Sequence, residues 1–205
     1  MEEKIGKTEI ENTFMFQKVW PKSTTILSTV EIRFTTGKVD TSSNIYRNEG
    51  KGGDHAEKRF LDELKSKIAQ RQVTGLKAKL VQNYSPCRTC ANDISEFMDK
   101  DCKDIEFYPE IEFANFYKDN PDNLGGLEML KEKGVVFELL EGEEKWGAFL
   151  DDATFVSLND VEKKELLDRA KSEARKINEV NALKIFNNHG LGNTSQPSDG
   201  EQQNH

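Results

Sequence analysis

Apolar and polar residues alternate along residues 25–35, TILSTVEIRFT. One face of this segment carries Ile26, Ser28, Val30, Ile32 and Phe34. A period of two is typical of a half-buried β-strand. A turn at residues 36–38 (TGK) follows, so residues 39–46 are expected to form the antiparallel partner strand of a hairpin.

Helical periodicity begins after the glycine-rich loop at residues 48–54. The first helix carries on one side Phe60, Leu61, Leu64 and Ile68. Residues 76–84 then have the pattern of a strand. A second helix is expected to start with Ser85 as its N-cap and Pro86 at its first position, where the missing N–H of proline leaves no hydrogen bond unmade. This helix is expected to bury Ala91, Ile94, Phe97 and Met98.

Strands and helices continue to alternate toward the C-terminus. The pattern predicts a strand at residues 105–117, a loop at 118–123, a helix at 124–133 that ends at Gly134, a strand at 135–140, and helices at 143–150 and 160–186. One face of the last helix is expected to carry Leu166, Ala170, Ala174, Ile177 and Asn181. Such alternation favours an α/β sandwich with a partly parallel sheet.

The chain is expected to form one domain at residues 1–188, with a polar, disordered tail at residues 189–205 that has little to bury. No run of about 18 apolar residues is present, and the N-terminus lacks the apolar stretch of a signal peptide. We therefore expect no membrane partner and a cytoplasmic or nuclear location rather than secretion. In that reducing setting, cysteines serve more often as metal ligands or catalytic groups than in disulfides.

The net charge of −8 over 205 residues argues against strong electrostatic binding of nucleic acid, because that affinity depends on neutralised phosphates. The charge is uneven, however, since residues 58–82 are rich in lysine and arginine while most of the surplus acid follows residue 94. Solvated helix faces are the favoured explanation of such a distribution.

Two short motifs supply candidate chemistry: H-A-E at residues 55–57 and S-P-C-R-T-C-A at residues 85–91. The helix and strand between them would let two helices begin side by side, bringing together His55, Cys87 and Cys90. One imidazole and two thiolates suit a catalytic Zn²⁺ with an open fourth position, one ion per chain. Glu57, two residues from a ligand, is placed to carry protons. A redox pair or core packing of the cysteines would leave His55 and Glu57 unexplained.

The pattern H-x-E followed by P-C-x-x-C is that of zinc nucleobase deaminases. The chain further resembles the AID/APOBEC polynucleotide cytidine deaminases over roughly residues 14–155. The resemblance rests on STTILSTVE at 23–31, YRNE at 46–49, HAEKRFL at 55–61, NYSPCRTCA at 83–91 and the stretch 113–140, and on Trp146. It implies the three-layer cytidine-deaminase fold, a five-stranded mixed sheet flanked by about six helices.

The resemblance also implies roles for individual residues. His55, Cys87 and Cys90 would bind zinc, and Glu57 would be the proton shuttle. The residues expected to contact substrate are Asn48 at the sugar-phosphate, the backbone N–H of Ala56 and the carbonyl of Ser85 at the cytosine edge, and Tyr84 and Tyr117 against the flipped base. The chain departs from the family pattern at two positions: Tyr84 replaces the usual tryptophan, and Lys118 replaces an acidic residue of some members.

The expected function is deamination of cytosine to uracil in single-stranded DNA, in which a zinc-bound hydroxide attacks C4 and Glu57 moves the protons. Immune or antiviral mutation would be its use, and the chain would be a monomer or weak oligomer. Two alternatives stay open. One is deamination of RNA, tRNA adenosine or free (deoxy)cytidine, although the P-C-G-x-C pattern of free-nucleoside enzymes is absent. The other is a catalytically weak or inactive nucleic-acid-binding module of the same fold.

Overall fold

The computed structural model describes residues 3–16, 21–48, 53–69 and 72–192. Within these ranges the chain forms seven helices and five strands. In chain order they are α1 (Lys7–Thr13), β1 (Thr25–Phe34), β2 (Val39–Arg47), α2 (Ala56–Ala69), β3 (Val73–Tyr84), α3 (Arg88–Lys100), β4 (Glu106–Asn115), α4 (Pro121–Glu132), β5 (Val136–Leu139), α5 (Gly142–Leu150), α6 (Asp160–Ala170) and α7 (Glu173–Asn188).

The five strands form one mixed sheet in the order β2-β1-β3-β4-β5. β1 runs antiparallel to both β2 and β3, whereas β3, β4 and β5 run parallel to one another. The predicted hairpin and the partly parallel α/β sheet are therefore confirmed. The described residues contain one helix more than the six or so that the family resemblance implied.

Helices cover both faces of the sheet, which gives three layers. On one face the apolar side chains of α2, α3, α4 and α7 pack against Val30, Leu80 and Phe113 of the sheet. On the other face α1, α5 and α6 pack around Leu27 and the fully buried Trp146. Side chains of both faces are buried at the start of β1, so this strand is less amphipathic in the fold than its alternating sequence indicates.

The start of α3 differs from the prediction. The helix begins at Arg88, and Cys87 occupies the N-cap without a side-chain capping bond. Ser85 lies two residues before that cap, and its Oγ accepts a hydrogen bond from the backbone N–H of Tyr117 at 3.0 Å. Serine followed by proline is typical of a helix start. Here, however, the Ser85 hydroxyl does not cap the helix, because it accepts from the N–H of Tyr117, 32 positions away in the chain.

The start of α4 also differs, because the predicted loop at 118–123 contains the first helical turn. Asn120 is the N-cap, and its Oδ1 accepts from the N–H of Asn123 at 2.9 Å. Pro121 occupies the first helical position, which proline favours. The helix ends as predicted, with Gly134 in the left-handed region at φ 92°.

The predicted long helix at 160–186 is two helices, α6 and α7, separated at Lys171 and Ser172. Ser172 caps α7 by accepting from the N–H of Arg175. The break ends the helical periodicity that the prediction carried through residues 160–186, and the predicted common face is wrong. Ile177 is 59% exposed, and Arg175 is fully buried.

Arg175 attaches α7 to the end of β4. Its Nη2 donates to the carbonyl oxygen of Ala114 at 2.8 Å and its Nη1 to Asn115 Oδ1 at 3.2 Å. Glu179 lies 3.4 Å from its Nε, and the guanidinium lies 5.0 Å from the Trp146 ring. Burial lowers the pKa of Arg175, but a guanidinium stays protonated in proteins. A buried, paired cation therefore supports the strand end from which the Tyr117 loop departs.

The contact between α3 and α4 depends on a glycine, and two adjacent glycines give a matched test. A Cβ at Gly126 would lie 3.0 Å from Ala91 Cβ, whereas the nearest atom to a Cβ at Gly125 is Arg88 Nη1 at 3.6 Å. We expect Gly125→Ala to raise the free energy of unfolding by up to about 1 kcal/mol through helix propensity. We expect Gly126→Ala to lower it by about 1 kcal/mol, because overpacking outweighs the same propensity gain. Denaturant unfolding measures both, and equal shifts in the two variants would contradict the close contact.

The chain beyond α7 packs back on the molecule as far as it is described. Leu191 is buried, and Lys131 Nζ donates to the carbonyl oxygen of Gly192 at 2.7 Å. Residues 193–205, most of the tail predicted to be disordered, lie outside the described residues. Among the residues that are described, no helix combines the length and apolar character needed to cross a membrane.

Candidate active site

The candidate site lies at one edge of the sheet, where several elements begin or end together. Tyr84 at the end of β3 is paired with Asn115 at the end of β4, and Thr25 at the start of β1 is paired with Arg47 at the end of β2. The carboxyl ends of parallel strands are where open α/β sheets bind ligands. Both α2 and α3 begin at this edge, so their first turns face the same space.

Three potential metal ligands meet between the first turns of α2 and α3. His55 Nδ1 lies 3.1 Å from Cys90 Sγ and 3.6 Å from Cys87 Sγ, and the two sulfur atoms are 3.4 Å apart. Cys90 is buried, Cys87 is half-buried and His55 is exposed. The predicted juxtaposition of these residues is present, and the three ligand atoms could hold one metal ion.

The cysteines have unequal acidities in this arrangement. The hydrogen bond between the two sulfur atoms, together with the backbone N–H of Cys90 and the nearby His55, lowers the pKa of Cys87 to about 5, despite partial burial. The same bond and burial raise the pKa of Cys90. A coordinated divalent cation deprotonates its thiol ligands outright. The donor set, two sulfurs and one imidazole nitrogen, fits a borderline-soft ion that takes tetrahedral N and S ligands.

Glu57 is a buried carboxylate beside this group. It is 3% exposed, and its Oε2 has no hydrogen-bond partner among the described residues. Burial is the main reason that the pKa of Glu57 is raised to about 7. A buried carboxylate oxygen without a hydrogen-bond partner is rare because its desolvation is costly, so Glu57 is a candidate for chemistry.

Asn48 and Ala56 contact each other directly. The backbone N–H of Ala56 donates to Asn48 Oδ1 at 2.8 Å. The family resemblance implied substrate contacts for both groups, Asn48 at the sugar-phosphate and the Ala56 N–H at the cytosine edge. In the structure the Ala56 N–H already donates to Asn48. To donate to a base, it would have to leave Asn48 or be shared between Asn48 and the base.

Two tyrosines meet at the side of the cavity. The rings of Tyr84 and Tyr117 are edge to face with centroids 5.8 Å apart, and Tyr84 also lies 5.6 Å from the Phe16 ring. Tyr84 is 2% exposed, and its hydroxyl donates to the carbonyl oxygen of Pro21 at 3.2 Å. Tyr84 is therefore a buried part of the cavity wall, and the half-buried Tyr117 is nearer to solvent.

A single cavity is lined by most of the predicted site residues: Asn48, His55, Glu57, Tyr84, Ser85, Cys87 and Tyr117. Ala56 and Cys90 lie behind it and are fully buried or nearly so. Its remaining lining, Pro21, Lys22, Ser23 and Thr24, was not predicted. Ser23 and Thr24 begin the stretch that resembles the family's first strand, and Thr24 matches a substrate-contacting threonine of the family only loosely, so neither was among the predicted site residues. A further signal was topological, because β1 runs antiparallel to β2 and β3 and its start must therefore lie at the same edge as their ends.

Comparison with known proteins agrees with this arrangement. A family model described as APOBEC3, cytosine deaminase domain, matches residues 4–176. No curated protein sequence matches the chain. The matched range contains the whole sheet, both halves of the H-x-E and P-C-x-x-C pattern and every residue of the cavity. The chain therefore belongs to the APOBEC3 cytosine deaminase domain family.

Proposed function

We propose that this protein is a zinc-dependent deaminase that converts cytosine to uracil in single-stranded DNA, with a biological use in immune or antiviral mutation. The observation that carries the proposal is the buried carboxylate of Glu57, whose Oε2 has no hydrogen-bond partner among the described residues, on the wall of the cavity that holds three potential metal ligands. His55, Cys87 and Cys90 would hold the ion through one nitrogen and two sulfurs.

The reaction joins water to C4 of cytosine and releases ammonia, leaving uracil. When bound, the zinc ion supplies an activated water for this attack. Glu57 then has two proton transfers to perform: it accepts the proton of the water and donates it to N3, and it afterwards moves a proton to the departing amine. A pKa of about 7 suits a group that must both accept and donate protons near neutrality.

Two lysines, one on the cavity wall and one next to Tyr117, favour a polymeric substrate. Lys22 lines the cavity, and Lys118 follows Tyr117 with its ammonium 5.2 Å from the tyrosine ring. Neither lysine forms an ion pair within the described part of the chain. A cation beside an aromatic ring and a second cation on the cavity wall suit a phosphodiester backbone with stacked bases, in spite of the overall negative charge. The choice of DNA over RNA rests on the sequence resemblance to polynucleotide deaminases.

A substrate panel tests the proposal. Zinc-loaded protein is incubated at low salt with a cytosine-containing DNA oligonucleotide, the matching RNA oligonucleotide and free deoxycytidine, and uracil is measured by mass spectrometry. We expect uracil in DNA at a rate at least tenfold above that in the other two substrates. We expect the rate at limiting substrate to fall steeply with added salt, because phosphate contacts release counterions.

Each other result has a definite meaning. Uracil only in RNA or only in deoxycytidine would reject DNA as the substrate and retain the chemistry. A zinc-loaded, folded protein that forms no uracil in any substrate would reject the enzymatic proposal and favour a binding module.

A further inference from the structure

The loop that carries Tyr117 is joined to the metal-binding helix by one buried amide, the side chain of Asn123. Asn123 lies in the first turn of α4 and is 8% exposed. Its Oδ1 accepts a hydrogen bond from the backbone N–H of Arg88 at 2.9 Å. Arg88 directly follows Cys87 in the chain, so this bond ends at the metal-binding motif.

The other side of the same amide holds the loop. Asn123 Nδ2 donates to the carbonyl oxygen of Tyr117 at 2.8 Å and to that of Lys118 at 3.0 Å. The orientation of the amide is determined by its partners, because a backbone N–H can only donate and a carbonyl can only accept. One side chain therefore supplies an acceptor and two donors, all satisfied; we call these three bonds the Asn123 bridge.

The bridge also stabilises an unusual backbone conformation. Lys118 has φ 49°, and it is the single non-glycine residue with positive φ in the described ranges. Residues with a Cβ keep this left-handed conformation only where their surroundings impose it, and such positions cluster at functional sites. The carbonyl oxygen of Lys118 is held by Asn123 Nδ2 and also by the N–H of Asn120 at 2.7 Å.

Hydrogen bonds thus link Tyr117 to the chain both before and after Cys87. Its N–H donates to Ser85 Oγ before the cysteine, and its carbonyl is linked through Asn123 to Arg88 after the cysteine. We propose that Asn123 is a positioning residue: the Asn123 bridge fixes the Tyr117 wall relative to the metal site and thereby determines how tightly the target nucleotide is bound. The effect on substrate rests on the proposed function, whereas the effect on the loop does not.

Three variants separate the bridge from general effects. Asn123→Asp keeps the acceptor for Arg88 and removes both donors to the loop. Asn123→Ala removes all three bonds without adding a charge and suits a helix. Asn120→Asp is the control, since it adds the same charge to the same loop and aspartate is as good an N-cap as asparagine.

Amide hydrogen exchange followed by mass spectrometry measures how often the loop opens, and it needs no substrate. We expect exchange in residues 116–120 to be about tenfold faster in both Asn123 variants and unchanged in Asn120→Asp, because loss of hydrogen bonds increases local opening. Zinc content and the thermal midpoint are measured on the same samples to confirm that each variant is folded.

Steady-state deamination of the best substrate then tests the consequence. In the Asn123 variants we expect KM to rise about tenfold and kcat to change by less than about threefold, because an unheld loop must be ordered when substrate binds. Unchanged exchange in both Asn123 variants would overturn the proposal, and so would faster exchange with an unchanged KM. A wild-type protein without deaminase activity would reject the proposed function, and the exchange rates would still decide whether the bridge holds the loop.

Discussion

Replacement of Glu57 by glutamine is expected to reduce deamination by at least about 10³-fold, because one group performs both proton transfers and glutamine can perform neither. Glutamine has the size of the glutamate it replaces, so the buried site, which is 3% exposed, is not opened to water. The substitution replaces a buried carboxylate whose Oε2 has no described partner, so stability is expected to be unchanged or increased.

The measurement combines single-turnover uracil formation with zinc content and a thermal midpoint. Glu63→Gln is the matched control, since Glu63 lies on the same helix, away from the cavity, where it pairs with Lys67 and accepts from Tyr46. We expect this control to retain activity within about threefold. Residual activity of Glu57→Gln within tenfold of wild type, with zinc bound, would exclude Glu57 as the proton carrier.

Replacement of Cys90 by serine is expected to abolish both metal binding and activity. Cys90 Sγ lies within 3.4 Å of the other two ligand atoms and is the most buried of the three ligands. We expect bound zinc to fall at least about tenfold, because one of three protein ligands is lost. In wild-type protein, zinc at 1,000 times its dissociation constant adds about 4 kcal/mol, or about 10 °C in the thermal midpoint for a chain of this size.

That thermal increment is the measurement that distinguishes metal loss from a packing defect. Addition of a chelator should lower the midpoint of the wild-type protein and leave that of Cys90→Ser unchanged. Cys102→Ala is the control, because Cys102 is a free buried thiol in the apolar core and is not one of the three grouped ligands. It should keep one zinc per chain. A Cys90→Ser protein that retains full zinc occupancy would show that the ion is held elsewhere.

The sequence predicted most elements because each had a strong local signal. Three examples are the period-two pattern of β1, the turn at Gly37 and the glycine after α4. In each, the residues that determine the structure lie within a few positions of one another. The grouping of three potential metal ligands was equally predictable, since histidine and cysteine in this spacing have few other uses. The family match agrees with the resemblance that those motifs carried.

Several features could not be predicted because the partners that decide them are far apart in the chain. Ser85 had the local signal of a helix cap, but its hydroxyl is taken by the N–H of Tyr117. Arg175 is buried in the last helix, where the sequence predicted an apolar face. Its burial is possible because its guanidinium pairs with Glu179 and donates a hydrogen bond to the carbonyl oxygen of Ala114. No periodicity of hydrophobic residues encodes such a contact.

The amino-acid sequence by itself determined which atoms are offered for chemistry: one imidazole, two thiols and one carboxyl group in two short motifs. Only the tertiary structure decided where those atoms stand and what limits their motion. It placed the unpredicted segment with Lys22 on the cavity wall, satisfied the Ala56 N–H through Asn48, and held Tyr117 through Asn123. The physical reason is that donor identity is a property of single residues, whereas position and restraint come from hydrogen bonds and packing between residues distant in the chain.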